Sequence, residues 1–418
     1  MVEDFRRWLR EKYSTPAALS AAWRVPVGSF EEVEPPQLRA AGQLEDLLPR
    51  LDWLEFVDSR EPTGAGGRAT DYLSLHSAGG RDTSALRRLY QHVRLTAREM
   101  LSAGRPFAPQ EVCRQIPLDD SPAALDFALR AALMHGASAD AEPAARKAGP
   151  GRLLVDALRS QPWLADRKVL ILYPRVYAQL KRLADELAAT AEGGQAQPCP
   201  AAARIIGSRL HLDGPALLAN RIHLVAQAKF PFTVADTRSP GAAPEALRQY
   251  PLVICPTLEM LEAKAMTALE RYVLAGGFLA LGPRIPLVDE TLARNETLAR
   301  HFGGALADFH LDFKPCGDGA FITLPQRVWP ENIEFIAFES GLARGLAAES
   351  PALDSAVHRA GRRRLLFIAN PHVQPVKTAI GGEPRSRLCN VETGDELRAD
   401  QASKVVVPPE SISAWEVE

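Results

Sequence analysis

The chain has 418 residues, 46% hydrophobic and 24% charged, with a formal net charge of −2. At roughly 100 to 200 residues per domain this length implies two to four domains. The near-neutral balance leaves no electrostatic basis for nucleic acid or an anionic membrane as partner, and suits small or neutral substrates. Five cysteines (Cys113, Cys199, Cys255, Cys316, Cys389) stand without CxxC spacing, which suggests neither a zinc site nor a complete disulfide framework and fits a reducing, cytoplasmic setting. The opening MVEDFRRWLREKY carries charges where a secretion signal needs an apolar core. No apolar run reaches the roughly 18 residues of a membrane span.

In chain order, FRRWLREKY places Phe5, Trp8, Leu9 and Lys12 on one helical stripe. Thr15-Pro16 then reads as an N-cap and first helical residue for PAALSAAW, so two short helices should meet at Ser14. QLEDLLPRLDWLEFVD has helical spacing, with Pro49 expected to kink it or end a turn. SREPTGAGGRATD reads as loop. A helix is expected over 83–103, followed by a short strand in RPFAPQEV that ends on Glu111, then a helix after Ser121-Pro122 and an Ala/Gly-rich linker near 138–151.

KVLILYP, FTVADT, PLVICP and FLALGP are continuous apolar runs of the kind buried on both faces of a parallel sheet. Helical segments lie between them, including MLEAKAMTALERYVLAGG with its glycine stop, and the alternation predicts a doubly wound sheet. After about residue 312 short apolar runs separated by turns (AFITL, IEFIAFE, RRLLFIANP, TAIGG, SRLCNVETGDEL, KVVVPP, ISAWEVE) predict a β-sandwich of about 100 residues, with turns at Thr393-Gly394 and Gly381-Gly382.

FRRWLREKYSTPAALSAAW resembles a signature of glycoside hydrolase family 42 β-galactosidases. Trp8, Leu9, Lys12, Tyr13, Thr15, Leu19 and Trp23 match it, while Ser14 replaces a glycine and Ser20 an asparagine. LDWLEFVD and DYLSLHSAGG resemble later barrel segments. AQAKFPFTVADT, YPLVICPTLEML and LERYVLAGGFLALGP are similar, in that order, to the family's flavodoxin-like trimerisation domain, which is related in fold to class I glutamine amidotransferases. LLFIANP through VPPESISAWEVE resembles its closing β-domain. The resemblance implies an α/β multidomain chain: a partial TIM-type (β/α) barrel over 1–150, a flavodoxin-like domain over 151–312 and a β-sandwich over 313–418. It also implies retaining hydrolysis of terminal β-D-galactosides, no cofactor or metal, and a homo-oligomer, a trimer by resemblance.

Retaining glycosidases use two carboxyls roughly 5 to 5.5 Å apart, one as acid/base and one as nucleophile. By resemblance to the nucleophile strand, Glu111 is the catalytic candidate. No Asn-Glu pair stands ahead of Trp8, so a chain relying on Glu111 alone is expected to be nearly inert on natural galactosides, since general acid catalysis is typically worth about 10²- to 10⁴-fold. The alternative is a non-catalytic assembly or carbohydrate-binding protein derived from such an enzyme. Cys255 lacks the Gly-x-Cys-x-Gly elbow of an amidotransferase nucleophile and reads as a buried structural thiol. His92 and His135 read as packed or surface histidines. GRRRL at 361–365 reads as a solvated turn entering a strand, and Gly276-Gly277 as a helix stop with no nucleotide fingerprint.

Overall fold

The computed structural model describes residues 1–36, 48–60, 85–102, 107–113, 122–139, 152–160, 162–177, 179–180, 210–291, 293–302, 311–381, 387–398 and 404–417. Helices α1 (Val2–Tyr13) and α2 (Pro16–Trp23) meet at Ser14, which takes a left-handed φ of 61°. Thr15 caps α2 by accepting the Ala18 N–H at 3.1 Å, with Pro16 as first helical residue. Helix α3 (Leu48–Arg60) starts where a kink was expected, because Pro49 occupies its first turn, where a missing N–H costs nothing. Phe5, Leu9, Leu19, Trp23 and Phe56 close one small core among these three helices.

Among the described residues before 140 there is no strand. Helices α4 (Ala85–Ser102), α5 (Pro109–Cys113) and α6 (Pro122–Met134) stand there instead. The predicted strand in RPFAPQEV is the short helix α5, which Pro109 opens. Among the described residues, 107–113 have no ladder partner; Glu111 N–H donates to Ala108 O at 3.0 Å and Phe107 O accepts the Ser138 N–H at 2.8 Å, while α4 and α6 bury apolar stripes against Leu365, Phe367, Ala369, Ile412 and Ala414 of a sheet. Helix α6 ends at Gly136 (φ 103°), with Ala137 N–H reaching Ala132 O at 3.0 Å. DYLSLHSAGG, the residues 140–151 of the linker and Gly382 lie outside the described residues.

After α7 (Arg152–Arg159) and a two-residue strand β1 (Leu164–Ala165) come β2 (Val169–Tyr173), β3 (Phe232–Asp236), β4 (Leu252–Thr257), β5 (Phe278–Pro283), β6 (Asp312–Cys316) and β7 (Gly319–Thr323). The sheet order is β3-β2-β4-β5-β7-β6, all parallel except the outer β6. Numbered by appearance, its parallel strands run 2-1-3-4-5, the flavodoxin-like order. Helix α8 (Leu210–Gln227) packs on one face of this sheet. After a single turn, α9 (Pro244–Leu247), helix α10 (Ala263–Leu274) packs on the other. The glycine stop of α10 is as expected: Gly276 adopts φ 97° and Gly277 N–H reaches Tyr272 O at 3.0 Å.

Two segments assigned to the β-module belong elsewhere. AFITL is β7 and pairs with β5, so the α/β sheet runs past 312. IEFIAFE lies in helix α11 (Pro330–Glu339), which buries Ile333, Ile336 and Ala337 at helical spacing over the same core as α8. Pro330 at its first turn and the Asn332 side chain accepting Trp329 N–H at 2.9 Å nucleate it. The all-β part therefore begins near 347. It comprises β8 (Ala347–Ala348), β9 (Asp354–Ala360), β10 (Arg363–Asn370), β11 (Val376–Gly381), β12 (Arg387–Asn390), β13 (Glu396–Arg398), β14 (Lys404–Val407) and β15 (Ser411–Val417). These form sheets ordered β1-β9-β10-β15-β12-β13 and β14-β11-β8. The two sheets share a core of Val357, Leu366, Ile368, Ile380, Val405 and Trp415. No described helix is long and apolar enough to cross a membrane.

Candidate functional site

Glu111 sits third in α5. Its Oε1 accepts the Ala108 N–H at 3.0 Å, the carboxylate half of a capping box. This holds one oxygen on the chain's own backbone and leaves Oε2 for other partners. The helix that carries it is anchored by the buried Phe107, Val112 and Cys113.

Cys255 is fully buried in β4, and burial together with the Glu262 carboxylate pushes its thiol pKa well up. That is the reverse of nucleophile activation, and the amidotransferase reading is set aside. His92 lies half-buried on α4. His135 is buried and joins a polar network. Tyr90 OH donates to Asp354 Oδ2 at 2.8 Å, Arg94 Nη1 donates to the same oxygen at 3.1 Å, and His135 Nε2 stands 3.1 Å from Tyr90 OH. Burial would raise the Asp354 pKa, yet Arg94, Arg98 and the Tyr90 hydroxyl hold it far below the carboxylate range. Burial, with Arg98 adding to it, drives His135 well below the ordinary histidine value. His358 donates to Met134 O at 3.0 Å and is lowered to about 4 by burial. Helix α4 thus ties two sheets together: Arg98 caps the β3 edge by donating to Phe232 O and lying 4.0 Å over its ring, while Tyr90 and Arg94 grip β9.

The crevice where a doubly wound sheet usually binds ligands lies outside the carboxyl ends of its strands, where the strand order reverses. Here that point falls between β2 and β4, and the N-terminal helices fill it. A cavity of about 80 Å³ remains, lined by Lys12, Tyr13, Trp23, Asp52, Arg238 and Glu290 among others. Asp52, 5% exposed, is the hub. Trp23 Nε1 donates to its Oδ2 at 2.7 Å, Tyr13 OH to the same oxygen at 2.8 Å, and Lys12 Nζ to Oδ1 at 2.7 Å. Lys12 also bonds Glu55 at 2.7 Å, and Arg238 bridges Glu55 at 3.0 Å towards Glu262 at 3.8 Å. Burial works against the Lys12 charge, but Asp52 and Glu55 outweigh it and raise its pKa. Burial, then the Asp52 carboxylate, raises Tyr13. Burial also raises Glu262, against the pull of Arg238; its Oε1 accepts the Val176 N–H at 2.8 Å. Among the described residues, no group of three or more His, Cys, Asp or Glu could hold a metal ion.

A family model described as GLMA-like, second domain, matches residues 203–313. No curated protein sequence matches the chain. Among solved structures, a catalytic mutant of a GH42 β-galactosidase from G. stearothermophilus aligns over 99% of this chain and 75% of its own, with TM-score 0.60 and 14% identity. The β-galactosidase from Bacillus circulans sp. alkalophilus aligns over 100% and 76%, also with TM-score 0.60 and 14% identity. The enzyme from Rahnella sp. R3 aligns over 99% and 75%, with TM-score 0.56 and 14% identity. The chain has the fold of the GH42 β-galactosidases. Within this GH42-type fold, four residues of the amino-terminal resemblance acquire a physical role: Lys12, Tyr13 and Trp23 are held around Asp52, and Thr15 starts the helix that carries Trp23.

Asp52 and Asp354 were not singled out from the sequence. The signal for Asp52 is an acid inside the apolar helical run LDWLEF, a residue that must find donors or stay unburied. Asp354, at a strand start after Pro351, carries no comparable mark.

Proposed function

We propose that the chain is a glycoside hydrolase of the retaining β-galactosidase type acting on terminal β-galactosides, with Glu111 in the nucleophile position and assembly through the flavodoxin-like domain, as a trimer by resemblance. The observation that supports this reading is the alignment over 99% and 100% of the chain with solved structures described as a GH42 β-galactosidase and a β-galactosidase. A solved structure described as an exo-carrageenase GH42 from Bacteroides ovatus aligns over 100% of this chain and 62% of its own, at TM-score 0.52 and 11% identity.

In this reading the Ala108 N–H fixes the Glu111 rotamer, leaving Oε2 to attack the anomeric carbon of a substrate whose leaving group departs as a stable anion without protonation. The test is hydrolysis of 4-nitrophenyl β-galactoside by the chain and by Glu111→Gln. The activated leaving group needs little acid assistance and so isolates the nucleophile. Glutamine can still accept the Ala108 N–H, so the cap survives and lost turnover reports chemistry. Turnover that falls by more than about 100-fold in the variant is expected. No turnover in either protein would overturn the reading in favour of a non-catalytic carbohydrate-binding or assembly protein.

A further inference from the structure

Helices α10 and α11 cover opposite faces of the parallel sheet, and each leaves one stripe turned to solvent. On α11 the buried positions are Ile333, Ile336 and Ala337, so the outward stripe carries Glu331, Phe335, Phe338 and Glu339. Phe338 is 74% exposed, Phe335 48%, and Trp329, which precedes the helix, 64%. Among the described residues, every exposed Phe, Tyr or Trp lies within 329–338. Single exposed apolar residues are ordinary, whereas aromatic rings gathered on one helix have the composition of an interface core. Phe313 of the outer strand β6 meets Phe335 edge-on at 5.6 Å and supports one side of the patch.

The α10 stripe is complementary to it. Lys264, Thr267, Arg271 and Leu274 are the exposed positions of that helix, at i, i+3, i+7 and i+10. Both charges of this stripe are positive, and both charges of the α11 stripe are negative. No ion pair or hydrogen bond joins the Lys264, Arg271, Glu331 or Glu339 side chain to another described residue. Glu334, the remaining acid before the end of α11, is held by Arg344 beside the stripe.

The spacings agree as well. At 1.5 Å per residue, Lys264 and Arg271 stand about 10 Å apart along α10, and Glu331 and Glu339 about 12 Å apart along α11. Laid antiparallel, Arg271 comes level with Glu331, Lys264 with Phe338 and Glu339, Thr267 with Phe335, and Leu274 with Trp329. In the parallel sense Leu274 and Trp329 fall at opposite ends of the contact.

We propose that the outward stripe of α10 on one copy of the chain docks antiparallel on the aromatic stripe of α11 on a second copy. The two stripes are different surfaces of one chain, so the contact is head-to-tail, the heterologous kind that a trimer requires. The inference rests on the assembly through the flavodoxin-like domain proposed above, and names the surfaces that carry it. Burial of the aromatic rings supplies the affinity. The two opposite-charge pairs set direction and register, and they disfavour α11 on α11, where acid would face acid.

Sedimentation velocity of the full chain across a concentration series tests this. An oligomer is expected for the unmodified chain. Phe338→Asp, Arg271→Glu and Glu331→Arg should each raise its dissociation constant at least about tenfold. The double reversal Arg271→Glu/Glu331→Arg restores an opposite-charge pair at every contact, so association should recover most of the way. All three positions are exposed, and thermal melts of each variant verify that the fold is retained. An oligomer unchanged in Phe338→Asp and in both single reversals would overturn the interface while leaving assembly standing; a monomer at every concentration would overturn both. A double reversal that associates no better than the single variants would overturn the antiparallel register. Turnover of 4-nitrophenyl β-galactoside is a separate readout: its absence from an intact oligomer removes the hydrolase reading and leaves the interface in place.

Discussion

The two edges of the parallel sheet use charge in opposite ways. At the carboxyl edge, Lys12 and Arg238 face Asp52 and Glu55 at hydrogen-bond distance, and little space is left. At the amino edge five cations surround a much larger cavity with one acid among them. Matched charges packed to contact build a joint; cations spread around a wider space leave it open. The usual ligand position of a doubly wound sheet is here the joint, and the larger cavity lies at the opposite edge.

The largest expected effect breaks the joint. Asp52→Ala removes the acceptor shared by Trp23, Tyr13 and Lys12 and leaves a cation without its main partner, so it should destabilise the chain by about 3 kcal/mol, read as a lower urea midpoint at unchanged slope. A loss below about 1 kcal/mol would show that the N-terminal helices are held by their apolar core alone.

Next comes pH, which probes the α4 network behind the β9 wall of the amino-edge cavity. His358 is neutral in the fold, with a pKa of about 4 against an ordinary 6.5. The unfolded chain takes up its proton below 6.5, so the stability it contributes is full above that pH and is lost progressively as pH falls to about 4. One such group accounts for up to about 3 kcal/mol, and His135 acts with the same sign. The lowered Asp354 keeps its contribution through this window and loses it only below the ordinary carboxylate value of 3.8. Urea unfolding at pH 7.5 and 5 should show the loss, and His358→Gln should flatten it; an equal loss in the variant would remove His358 as its source.

The smallest effect sharpens the contrast. Arg364→Gln should change stability by no more than about 0.5 kcal/mol, because it removes one of two cations that face each other across the ladder at a partly exposed strand end. A charge deleted from the joint is costly, while a charge deleted from the wider amino-edge cavity is nearly neutral. A large loss from Arg364→Gln would mean that the amino edge is also a structural joint.

Much of the scaffold was legible in local sequence. Thr15-Pro16 marked the start of α2, Gly276-Gly277 the end of α10, and the apolar runs KVLILYP and FLALGP the central strands. These signals depend on a few adjacent residues and on backbone hydrogen bonding within one turn or ladder. Glu111 was legible as a candidate, but its surroundings were not: RPFAPQEV reads equally as a short strand or as a proline-opened helical turn, and the absence of a ladder partner among the described residues left it a turn. IEFIAFE was misread for the related reason that short apolar runs do not separate helix from strand by periodicity.

The sequence by itself determined the alternation of helices and buried strands, the helix stops, the late all-β segment and the family resemblance. Only the tertiary structure decided that AFITL joins the α/β sheet, that helices cover one face of the sandwich, that Asp52 and Asp354 are hubs, and that GRRRL turns an arginine into a cavity. Sheet partnership and desolvation are set by groups distant along the chain: Trp23 and Asp52 are 29 residues apart, and Tyr90 and Asp354 are 264. A local pattern reports which residues can be buried; which charges meet there depends on what the rest of the chain brings to them.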